Sequence, residues 1–151
     1  MDRDNVISVL NGLIETCRDG QNGFQEAAEN VSRADLKQFF NEASLERARY
    51  VGELQGLVRS LGGDPENTGS TAAAIHRTWI DIKGSLTGRD DASILSECER
   101  GEDSAKDTYK DALDDQGLTS EVRTIVERQY QQIRQVHDQV KQLRNAASRV
   151  S

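Results

Sequence analysis

The sequence predicts an all-α fold, a four-helix bundle with residues 1–151 as one domain, and three observations carry that reading. Apolar residues recur three and four apart over four long stretches, the spacing that lines one face of an α-helix. The single proline, Pro65, stands just behind a diglycine, where it ends a helix instead of interrupting one. Hydrophobic residues make up 35% and aromatics 5%, which suits long helices and leaves too few β-branched and aromatic side chains for a β-sandwich. At 151 residues the chain is long enough to bury a real core.

Helix one runs from about Asp4 to Asn30, with Val6, Leu10, Leu13, Cys17, Gly20, Phe24, Ala27 and Val31 on one stripe. Asp2 and Asp4 place negative charge at its start, where the helix dipole favours it. Ser32 reads as the N-cap of helix two, with Asp35 three residues on as an acidic form of the capping box. The second stripe is Leu36, Phe39, Phe40, Ala43, Arg47, Tyr50, Leu54, Leu57 and Leu61, and Gly62-Gly63-Asp64-Pro65 ends it.

Residues 66–89 are too long for a hairpin connection and contain a short helix of their own, marked by Ile75, Trp79, Ile82 and Leu86. Helix three starts near Asp90 or Asp91 and turns Ile94, Leu95, Cys98, Glu102, Ala105, Tyr109, Ala112 and Leu113 inward. After the break at Asp114-Asp115-Gln116-Gly117, Thr119 caps helix four, whose stripe is Val122, Val126, Gln129, Ile133, Val136, His137, Val140 and Arg144. Short loop, long crossover, short loop makes helices two and three parallel, a ferritin-like connectivity in place of a simple up-down-up-down bundle.

The formal net charge of −7 repels phosphate, so neither nucleic acid nor an anionic membrane is an expected partner. No apolar run approaches the ~20 residues of a membrane span and no basic-then-apolar leader opens the chain, so the expected location is cytoplasmic. Cys17 and Cys98 lack the spacing of a zinc ribbon or a redox motif and read as buried, reduced thiols.

Arg47, Glu102, Gln129 and His137 fall on the apolar stripes, and a bundle core has no structural need of them. Counting outward from the short loops sets Cys17 level with Arg47, and Arg47 within about a turn of Glu102, a ~5 Å uncertainty. Gln129 falls near the same layer and His137 roughly two turns further along helix four, toward Cys98. Two readings stand. In one, Arg47 and Glu102 form a buried ion pair, with Gln129 and a tyrosine completing its hydrogen bonds. In the other, Glu46, Glu99, Glu102 and His137 ligate iron, manganese or zinc, ions that suit carboxylates and imidazole. Against the second, Arg47 shares the layer, and Glu15, Glu26 and Glu29 of helix one point outward on the wheel.

Three further features have structural readings. His137 and Asp138 are adjacent on a helix and diverge by about 100°, so they make a poor dyad. His76 shares a face with Trp79 and reads as packing, while Gly20 inside helix one marks a close helix approach. Glu97, Glu99, Glu102 and Asp103 form a mainly solvated acidic face with room for a loosely held divalent cation.

The segments LNGLIETCRDG and GFQEAAE, LQGLVRSLGGDPENTGS with IHRTW, ECERGEDSAKDTYKDAL, and QYQQIRQVHDQVKQLR together resemble a family of uncharacterised bacterial four-helix-bundle proteins within the ferritin-like superfamily. The resemblance covers nearly the whole chain and implies a ferritin-like bundle in a bacterial cytoplasm, self-associating as a homodimer and linked to stress. It implies no established reaction. Against the ferritin pattern, Glu46 stands at the helix-two glutamate but Arg49 takes the place of the histidine; Glu102 and Gln129 match helices three and four, and Thr16 and Cys17 occupy the helix-one level. The function expected is that of a small structural or interaction protein with no catalysis and no cofactor. The alternatives are a metal-binding protein with a degenerate carboxylate and histidine site, and a regulatory module that binds through an exposed helix face.

Overall fold

Four helices make up the chain's described secondary structure: α1 (Arg3–Asn30), α2 (Ala34–Ser60), α3 (Asp91–Leu113) and α4 (Ser120–Val150). The structure, a computed structural model, describes residues 3–65, 86 and 88–150, with the side chains of 148–150 left aside. No strand occurs among the described residues. The expected crossover helix with Ile75, Trp79, Ile82 and His76 lies outside them; Leu86, at its end, is fully buried.

Local sequence sets the helix ends. Asp90 caps α3, its side chain accepting the Ser93 N–H at 2.8 Å. Thr119 Oγ1 does the same for Val122 N–H at 3.3 Å before α4. Gly62, at φ 81°, takes the left-handed turn that ends α2, and Gly62 and Gly63 return their N–H groups to Arg59 and Val58. Ser32 is not the cap of α2. That position is Arg33, with no side-chain cap, and the Ser32 and Arg33 N–H groups instead donate to the carboxylate of Asp91, at 2.7 and 3.3 Å. Asp91 sits one residue past the α3 cap and so satisfies the α1–α2 turn from across the bundle.

Those bonds also fix directions. The N-termini of α2 and α3 meet at Asp91, so these two helices run parallel. Tyr50 donates to Gln132, while Glu53 faces Arg128 and Gln129, which makes α2 and α4 antiparallel.

The core is two apolar clusters with a gap between them. One holds Val6 to Cys17 of α1, Tyr50 to Val58 of α2, Ala105 to Ala112 of α3, Leu118, and Val122 to Ile133 of α4. The other holds Phe24 to Val31, Leu36 to Ala43, Leu86, Ile94 to Cys98 and Val140. Each helix crosses the gap within seven residues, and the buried side chains there are all polar or charged: Asp19, Arg47, Glu99, Glu102 and His137, with Gly20, Gly23 and Gly101 beside them. A polar layer thus divides the bundle core.

Candidate functional site

Arg47 and Glu102 meet in that layer. Both are buried almost completely, and Arg47 Nη2 donates to Glu102 Oε2. The sequence makes room for the guanidinium: Gly20 of α1 presents no side chain to it, and the Phe24 ring lies under it with its centroid 5.2 Å from Cζ. The pair is not saturated, because Arg47 Nη1 and Glu102 Oε1 are buried without a hydrogen-bond partner among the described residues. Burial works against the Arg47 charge, and Glu102 and then Cys17 more than offset it, so its pKa moves up. Burial also pushes the Glu102 carboxyl up, with Arg47 opposing. The two directions favour different charge states of one pair. A guanidinium keeps its proton in a protein, so the dry layer holds a positive charge and Glu102 is its counter-charge.

Beside the pair runs a directed chain of hydrogen bonds. The Tyr109 hydroxyl donates to Gln129 Oε1 at 2.7 Å, which leaves its oxygen to accept from the Cys17 thiol at 3.0 Å. Gln129 Nε2 donates to Glu53 Oε1 at 3.1 Å, and Arg128 closes the chain on Glu53 Oε2 at the surface. Burial pushes the Cys17 thiol up to about 11 and the Cys98 thiol and Tyr109 phenol well above their usual ranges. A thiol held protonated is a poor nucleophile. Neither cysteine joins a disulfide.

Of the four expected metal ligands, the structure gathers two. Glu99 and His137 come together with Asp103, one ligand atom from each lying within 4.8 Å of the others. Glu102 is committed to Arg47, and Glu46 forms a surface pair with Arg49 at 2.6 Å. His137 Nε2 lies 2.6 Å from Asp103 Oδ1, and Arg144 pairs with Glu99 Oε2. His137 Nδ1 is 3.1 Å from Asp138 Oδ1, contrary to the expected divergence, because Nδ1 lies close enough to the backbone for the short aspartate chain to reach it. That bond lowers the Asp138 carboxyl below its usual range.

Two placements on the helix wheel also differ. Gln129 belongs to the Tyr109–Glu53 chain and not to the Arg47–Glu102 pair, while His137 occupies the gap layer that the loop count gave to Gln129. Glu15 is buried, as are Asp19 and Asn11, because α1 is enclosed on every side from Leu10 to Cys17 and wheel position no longer separates inside from outside. Asp103, expected only as part of a solvated face, lies against His137. Its signal was the four-residue spacing from Glu99, which puts two carboxylates on one face of α3.

Residues 5–115 match a family described as a domain of unknown function, DUF2383, a segment that runs from the first turn of α1 to just past α3 and stops before α4. No curated protein matches the chain.

Proposed function

The chain belongs to the DUF2383 family, and on that footing we propose a ferritin-like structural protein that acts through its surface and not through catalysis. The parallel course of α2 and α3 supports the ferritin-like connectivity: the chain leaves α2 at Ser60 and re-enters at Asp91, at the opposite end of a 27-residue helix ~40 Å long. The observation that carries the non-catalytic reading is the Arg47–Glu102 pair.

A di-iron centre does not fit these residues. The guanidinium takes the middle of the layer, and the position of the helix-two histidine is Arg49, exposed and paired with Glu46. Gln129 is held by Tyr109 and Glu53. The layer is an electrostatic and steric filling of the place where metals would sit, and fold alone does not restore the chemistry.

Leu45, at 62% exposure, supports association through α2. It shares a face with Gly52 and Gly56, above which there is open space, so a second copy can approach closely there. The resemblance in sequence adds a bacterial cytoplasm, homodimer formation and a link to stress. Sedimentation of the untagged chain against Leu45→Glu tests the association: a dimer that the substitution dissociates supports it, and a strict monomer counts against it. Unfolding of Glu102→Gln tests the filling, since a structural counter-charge predicts a large loss of stability with or without added iron.

A further inference from the structure

His137 is 7% exposed, and both of its ring nitrogens face carboxylates: Nε2 at 2.6 Å from Asp103 Oδ1 and Nδ1 at 3.1 Å from Asp138 Oδ1. A neutral imidazole donates through one nitrogen only, and an ionised carboxylate only accepts. One of the two contacts therefore sets lone pair against lone pair unless a positive species stands there, either a second ring proton or a cation. A proton would account for Asp103 but not for Glu99, which brings a third ligand atom to within 4.8 Å of the other two. Glu99 is itself nine-tenths buried, and Arg144 answers it at Oε2.

We propose that Glu99, Asp103 and His137 form a binding site for one zinc-class divalent ion that clasps α3 to α4, with Asp138 orienting the imidazole. Nδ1–H donated to Asp138 fixes the tautomer and frees the Nε2 lone pair for the ion, the usual arrangement of carboxylate, histidine and metal. One nitrogen and two carboxylate oxygens suit zinc and its neighbours better than magnesium or calcium, which take oxygen alone. Two carboxylates balance the charge of a dication, and three protein ligands leave a position for water. Arg144 holds Glu99 by Oε2, and a carboxylate has a second oxygen to offer. The Asp103 side chain is 57% exposed, which opens the site to solvent on one side. Glu46 and Glu102 take no part, so the site stands independently of the structural reading of the core.

The test uses the full, untagged chain stripped by chelator and titrated with Zn²⁺ by calorimetry and with Co²⁺ by visible absorption. The expected result is one ion per chain with the absorption of a low-coordinate cobalt site. His137→Gln should abolish binding. Asp103→Asn and Asp138→Asn, both at exposed side chains that leave the core intact, should weaken it about 10–100-fold. Glu102→Gln should leave the Co²⁺ spectrum unchanged. Absence of saturable one-to-one binding, or an affinity indifferent to Asp103→Asn, overturns the site. Loss of the ion in a Glu102→Gln protein that circular dichroism shows to be folded would place it in the central layer, overturning this site and the structural reading of Glu102 together.

Discussion

Gly20 and Arg47 interlock across the α1–α2 interface: a methyl group on the glycine would stand 2.6 Å from Arg47 Nη1 and 3.5 Å from its Cγ. The end of an arginine side chain ordinarily moves aside cheaply. Here it is pinned, because the same guanidinium holds Glu102 in a buried layer.

Gly20→Ala should therefore destabilise the protein despite a better helix former. Alanine gains up to ~1 kcal/mol in a helix, while disturbing a buried pair costs several, so a net loss of about 1–3 kcal/mol is expected. Urea unfolding gives the number. In an Arg47→Met/Glu102→Leu background the obstacle is gone, and the same substitution should be neutral or stabilising.

Tyr109→Phe should cost about 1–3 kcal/mol, because Gln129 Oε1 and the Cys17 thiol lose their shared partner inside the core. The midpoint of denaturation should fall with its slope unchanged.

Both thiols should resist iodoacetamide in the folded protein at pH 8 and react on unfolding, since burial keeps them protonated. The linked stability has a sign. The folded Cys17 thiol lies near 11 against an ordinary 9.0, so its contribution is complete below pH 9 and is lost as pH rises toward 11. Cys17→Ser should flatten that alkaline limb; alkylation as fast in the native state as in denaturant would refute the burial.

Asp90 works in the opposite direction. Its bond to Ser93 holds the carboxyl below the usual 3.8, so the cap is complete above that value and is lost as pH falls through the depressed one. Amide exchange in the first turn of α3 should accelerate in acid before the rest of that helix, and Asp90→Ala should show the fast rate at every pH.

Much of this was legible in the sequence. Four helices follow from spacing, and Gly62, Asp90 and Thr119 mark their ends by turn and cap chemistry that acts locally. Arg47 and Glu102 could be paired by counting from the two short loops, because antiparallel helices keep register over a few turns. Ser32 could not be read correctly, since its N–H is satisfied by Asp91, 59 residues away. α4 sits about two turns away from the height that loop counting predicts, so His137 stands where Gln129 is expected, and a helical wheel cannot show that α1 is enclosed around Glu15. Asp103 was hidden by its exposure: a carboxylate at the surface looks solvated until a histidine on the neighbouring helix is found against it.

Glu102 is the counter-charge of Arg47, and a double-mutant cycle in urea measures that pairing directly. Arg47→Met and Glu102→Leu alone should each cost about 3–5 kcal/mol, and the double variant should recover most of that loss, since apolar side chains of similar volume fill the layer without a stranded charge. Single losses that simply add, or a Glu102 variant as stable as the parent, would show that the two side chains are not a charge pair.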